Sequence, residues 1–96
     1  MSVKRRTKIE IIHDILKAIQ NRGGKIKPTH LLYKSNLSHK KMMEYVDDLM
    51  NKGMVEEEEQ IKKKENSKLY TITDKGFEYL EQFKQIQQFS DAFGLR

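Results

Sequence analysis

Residues 28–53 read PTHLLYKSNLSHKKMMEYVDDLMNKG. Pro28 suits the first turn of a helix, where its missing N–H would have no partner anyway. Leu31 and Leu32 give that helix a buried side, and Tyr33 suits core or surface. Ser35 and Asn36 break the helix, with Leu37 placed to plug the core from the turn. Ser38 is a helix N-cap. Met42, Tyr45, Val46, Leu49 and Met50 follow at i, i+3, i+4, i+7 and i+8, one inward face. Gly53 is the stop. Two short helices joined by a tight polar turn form a helix-turn-helix, whose second helix is shaped to enter the major groove of DNA.

On the N-terminal side, Thr7 and Glu10 have capping-box spacing. Ile12, Ile15, Leu16 and Ile19 then form an apolar stripe flanked by Ile11. The pattern predicts a helix over about 7–21, ended by Gly23 and Gly24. Residues 25–27 form a brief segment that suits one short strand. On the C-terminal side, Met54 and Val55 open an extended segment that runs through Glu56, Glu57, Glu58 and Glu59 to Ile61. Residues 62–68 are polar, with Asn66 and Ser67 as turn formers. Leu69, Tyr70, Thr71 and Ile72 resume β-type alternation. The expectation is a hairpin with a long basic tip. Thr73 caps a last helix that starts at Asp74, where an acidic group suits the positive helix end. Gly76 marks a mild cost or a close approach to another backbone. Phe77 and Leu80 suit packing on the domain. Phe83, Ile86, Phe89 and Phe93 share a helical face further out.

The element order is helix, short strand, helix, helix, strand, strand, helix. The class is α+β and mainly helical: a winged helix-turn-helix of three helices, a β-hairpin wing and a C-terminal helix for dimerisation. The expected organisation is a single domain over 1–96, with a basic tail at 1–6, a core at 7–73 and the C-terminal helix at 74–93.

Charge agrees with this reading. The 96 residues carry a net charge of +5, and charged residues make up 34%. Residues 1–53 hold 12 Lys and Arg against 5 Asp and Glu, whereas residues 54–96 hold 7 against 9. A basic half points to a polyanion, because bound Lys and Arg release counterions condensed on phosphates. No cysteine is present, which excludes disulfides, thiolate catalysis and cysteine-based zinc sites. No apolar run approaches a membrane span. The N-terminus shows no apolar signal segment, so a cytoplasmic, nucleoid location is expected. Catalysis has little support. His13, His30 and His39 fall on three different helices, with no HExxH pair and no phosphate loop, so no enzyme, cofactor or metal is expected.

Three strings carry a family resemblance: TKIEIIHDILKAIQ, THLLYKSNLSHKKMMEYVDDLMNKGMVE and YTITDKGFEYLEQFKQ. The chain resembles the small archaeal winged-helix DNA-binding proteins over roughly residues 4–85. That family includes a ten-kilodalton chromatin protein of Sulfolobales and many short predicted transcription regulators. YKSNLS and YTITDKG are its most specific pieces here. The resemblance implies the winged fold, DNA binding and a dimer through the C-terminal helix.

Candidate DNA contacts follow from chemistry. Ser38, His39, Lys40, Lys41 and Glu44 stand at the start of the second helix of the motif, where such helices meet base edges. Asp47 and Asp48 repel phosphate, so only residues 38–44 should sit deep in the groove. Lys62, Lys63, Lys64 and Lys68 suit phosphate contacts that position without reading sequence. The alternative for them is a charged, solvated loop. Arg5 and Arg6 suit a basic arm, against a merely solubilising terminus. Phe83, Ile86, Phe89 and Phe93 suit a homodimer interface, since exposed aromatic surface usually marks association. The alternative is a helix that folds back over its own domain. Double-stranded DNA is the expected partner, bound by a transcription regulator or chromatin-associated protein. A winged-helix protein-interaction module is the alternative, kept open by the acidic residues.

Overall fold

The structure is a computed structural model that describes residues 6–62 and 65–95, and the side chains of all of these except 60–62 and 65–67. The chain forms α1 (Lys8–Asn21), β1 (Lys25–Ile26), α2 (Pro28–Ser35), α3 (His39–Asn51), β2 (Val55–Lys62), β3 (Glu65–Ile72) and α4 (Asp74–Ala92). The three strands make one antiparallel sheet in the order β1-β3-β2. This is the winged helix-turn-helix expected from the sequence, with three helices, a hairpin and a fourth helix.

Local chemistry accounts for the helix boundaries. Thr7 and Glu10 form the full capping box on α1. Gly23 and Gly24 then take φ of 80° and 93°, a region open to glycine, and turn the chain into β1. Asn36 supplies the left-handed residue between α2 and α3 at φ 56°. Asn tolerates that conformation better than most residues. The Thr73 hydroxyl does two jobs. It accepts from the Gly76 amide as the α4 cap and donates to the Gly53 carbonyl at 2.6 Å, which clasps the end of α3 to the start of α4.

The core is one cluster. Ile12, Ile15, Leu16 and Ile19 of α1 meet Leu31 of α2, Met42, Val46 and Leu49 of α3, and Ile26, Val55, Tyr70 and Ile72 of the sheet. Each fully buried aliphatic side chain stabilises the fold by roughly 1.5–3 kcal/mol. Leu37 packs against this cluster from the turn, as does Met43, which the sequence pattern had left off the inward face. Tyr33 points away from the core and is 82% exposed.

Two expectations are corrected. Asn66 and Ser67 form no turn. They lie in β3 and pair with Ile61 and Gln60, so both strands run eight residues, to Lys62 and from Glu65. Ladder pairing satisfies their backbone groups and overrides a local turn preference. Phe77 also does not pack into the domain. It stays 41% exposed, because Gly76 and Leu80, one helical turn apart, take the inward face of α4.

Gly76 is a point of close approach. A Cβ there would lie 2.6 Å from Ile72 Cγ1 and 2.6 Å from the Met54 carbonyl oxygen. Two further contacts seat α4 on α1. The Tyr79 hydroxyl donates to the Ile9 carbonyl at 2.8 Å, and the Phe83 ring stacks on His13 with centroids 4.2 Å apart.

Candidate nucleic-acid interface

Helix α3 presents its first turn outward. Ser38 caps it, with its Oγ accepting from the Lys41 amide at 3.2 Å. The side chains of His39, Lys40, Lys41 and Glu44 are exposed. The two lysines are not equivalent. Lys41 Nζ lies 3.5 Å from Glu44 one turn on, whereas Lys40 has no acidic partner among the described residues. The structure thus gathers Ser38, His39, Lys40, Lys41 and Glu44 on one exposed helix start.

Further along α3 the character changes. Asp48 accepts from Lys52 Nζ at 2.7 Å. That hydrogen bond holds the Asp48 carboxyl below its ordinary pKa. Partial burial opposes the shift, and the charges of Lys52 and Lys8 add to it. Lys8, from the start of α1, shares a surface depression with Lys41, Glu44, Tyr45 and Asp48. It therefore belongs to the same face. The sequence grouped Lys8 with the N-terminal basic residues, and helix packing brings it beside α3.

The hairpin root is acidic on both sides. Glu58 pairs with Lys25 at 2.9 Å and accepts from the Thr71 hydroxyl at 3.4 Å. Glu57 pairs with Lys68 at 3.4 Å. Lys68 is thus a strand residue beside the glutamates and not part of a free tip. Glu57 sits opposite Tyr70 in the ladder, and the Tyr70 hydroxyl donates to Met43 Sδ at 3.6 Å. Burial raises the Tyr70 pKa first, and the charges of Glu57 and Asp47 raise it further. Strand β2 and the middle of α3 therefore present negative charge near one another. The expectations for Arg5, Lys63 and Lys64, and for the side chain of Lys62, lie outside the described residues.

Arg6 is a structural clamp. Its guanidinium donates to Asp14 at 2.8 Å and to the Ser35 carbonyl at 2.9 Å, tying α1 to the end of α2 just before the turn. It is built into the fold, which the reading of a free basic tail over 1–6 did not foresee. Of the distal stripe, Phe83 is half-buried against His13 of its own chain. Ile86, Phe89 and Phe93 are 60%, 58% and 67% exposed, and the Phe89 and Phe93 rings meet at 4.9 Å. Among the described residues no three His, Asp or Glu side chains converge as metal ligands, and no helix is long and apolar enough to cross a membrane.

A family model described as winged helix-turn-helix matches residues 5–91. The chain belongs to this family. A relative from Methanocaldococcus jannaschii, an uncharacterized protein, is 34% identical over 85 residues. That match takes in 88% of this chain but 35% of the relative, so the chain spans about a third of its length. Among solved structures, Sso10a-2, a DNA-binding protein from Sulfolobus solfataricus, superposes with a TM-score of 0.73 at 23% identity, covering 92% of this chain and 85% of that one. PadR of Bacillus subtilis, solved with operator DNA, superposes with a TM-score of 0.65 at 20% identity, covering 76% and 45%. These two likenesses establish the fold. The winged-helix family has archaeal members similar to this chain, as the resemblance implied.

Proposed function

We propose that this winged-helix chain binds double-stranded DNA through the first turn and a half of α3, as a dimeric transcription regulator or chromatin-associated protein of the nucleoid. The observation that carries the reading is the exposed start of α3, where Ser38, His39, Lys40 and Lys41 stand clear of the core on a capped helix. Lysine donates to guanine or phosphate, His39 donates to either, and Glu44 accepts from cytosine. Asp47 and Asp48 keep the rest of α3 away from phosphate. Lys62, Lys63, Lys64 and Lys68 add backbone or minor-groove contact. The acidic root of the hairpin stands off the duplex. Ile86, Phe89 and Phe93, with Phe83 at their inner end, join two copies. A two-fold pair then sets two α3 helices on half-sites about one helical turn apart. The likeness to a DNA-binding protein of Sulfolobus solfataricus and to an operator-bound regulator supports the reading.

The acidic face of Asp47 and Glu57 beside Tyr70 favours a second reading, a protein-interaction module that does not bind DNA. Salt titration of duplex binding separates the two. Contacts from four to six lysines give a log–log slope of roughly −4 to −5. No binding at about 50 mM salt refutes the DNA reading, because the phosphate attraction is strongest there. Paired substitution of Lys40 and Lys41 by Ala should weaken binding more than the same change at Lys63 and Lys64.

A further inference from the structure

A second basic surface lies away from α3 and the hairpin. The cleft between α1 and α2, about 540 Å³, is lined by Asp14, Lys17, Asn21, Arg22, His30 and Lys34, with Ala18 at its floor. Three cations and an imidazole therefore face one another across a single depression. Asp14, the one acidic group there, is already engaged. Its Oδ2 accepts from Arg6 at 2.8 Å and its Oδ1 lies 3.2 Å from His13 Nδ1. Lys17 donates to Gln20 at 3.1 Å. The side chains of Arg22, His30 and Lys34 have no hydrogen-bond or ion-pair partner among the described residues. The charges of Arg22 and Lys34 both act on His30, so the cleft concentrates positive potential.

We propose that this α1–α2 cleft is a second oxyanion site, in which Arg22, Lys34 and His30 hold a phosphate group and Lys17 flanks its rim. The chemistry favours phosphate. Arginine presents a planar fork to two oxygens, lysine adds a point charge, and a protonated imidazole supplies one more donor. Burial first, then the charges of Arg22 and Lys34, push the His30 pKa below the ordinary value. A bound phosphate oxyanion would oppose the electrostatic part and favour a proton on the ring. The phosphate has two possible sources with this one chemistry, a phosphodiester of duplex DNA and a free phosphate.

The test follows the His30 imidazole by NMR in the full chain, in wild type and in a variant carrying Arg22→Gln and Lys34→Gln. Inorganic phosphate is the probe, and chloride at matched ionic strength is the control. The expected result is a saturable shift of the His30 resonances with a raised titration midpoint, absent in the double variant and absent with chloride. An equal response to chloride, or an unchanged response in the double variant, overturns the site. A melting temperature for each variant shows that both are folded. A second arm identifies the source by duplex binding against salt. DNA as the source predicts a slope shallower by about 2 in the double variant. An unchanged slope, with phosphate binding lost, assigns the site to a free phosphate. A chain that takes up phosphate at His30 but binds no duplex refutes the function proposed above and leaves this site standing.

Discussion

Replacing Gly76 by Ala sets two physical rules against each other. Helix propensity favours the change, since Ala in a helix interior is better than Gly by about 1 kcal/mol. Packing opposes it. The new methyl would lie 2.6 Å from Ile72 Cγ1 and from the Met54 carbonyl oxygen. Ile72 is buried in the core, and the Met54 carbonyl is held by the Thr73 amide at 3.1 Å, so neither neighbour can step aside freely. Overpacking of this kind costs about 1–3 kcal/mol, and a fixed backbone atom places it near 3. The net effect is a loss of about 2 kcal/mol. For a domain of this size that lowers the melting temperature by about 8–16 °C. Thermal unfolding followed by circular dichroism at 222 nm measures it. A variant that melts at or above wild type would sink the argument, because propensity would then have won and the close approach would not constrain α4.

Three other outcomes follow from the geometry. Lys40→Ala should weaken duplex binding about tenfold, of the order expected for one lost charge-assisted contact, and Lys41→Ala should weaken it less, because Glu44 already holds Lys41; equal losses in fluorescence anisotropy would contradict this. Arg6→Ala should lower stability by about 1 kcal/mol, a figure kept small because its ion pair is partly exposed, and Arg6→Lys should recover only part, since an ammonium lacks the fork; an unchanged melting temperature would remove the clamp. Phe89→Glu should give a monomer in sedimentation equilibrium with thermal stability nearly unchanged, whereas Phe83→Ala should destabilise the fold by losing its stack on His13; a Phe89→Glu chain that remains dimeric would place the interface elsewhere.

Much of the architecture could be read from the sequence because its signals are local. Thr7, Ser38 and Thr73 each close a hydrogen bond to an amide three residues on, and such caps are written in adjacent letters. The apolar stripes of α1 and α3 also reported their own phase. The misses have a common origin in distance along the chain. Arg6 is fixed by a carbonyl 29 residues away, and no local pattern announces that contact. Asn66 and Ser67 look like turn formers until partners on β2 are in place. Two residues, Lys25 and Ile26, are too few to name the strand they pair with, and β3 is supplied only by the fold. The exposure of the start of α3 was legible, since the N-cap and the apolar phase together leave His39, Lys40 and Lys41 outside. The clustering of Lys17, Arg22, His30 and Lys34 was not, because it depends on how α1 and α2 cross.

Helix α4 is held to the rest of the molecule at three successive turns, by Gly76 against Met54, Tyr79 on the Ile9 carbonyl and Phe83 on His13. From His13 the contacts continue through Asp14 and Arg6 to Ser35, at the edge of the turn that launches α3. Among the described residues, these contacts join α4 to the start of α3 without a break. In the proposed pair, the two α3 helices would behave like the jaws of a caliper locked at one opening. Operators whose half-sites are moved apart by a few base pairs should then lose the second contact outright, since duplex twist carries the next groove out of reach of a pair locked at one opening.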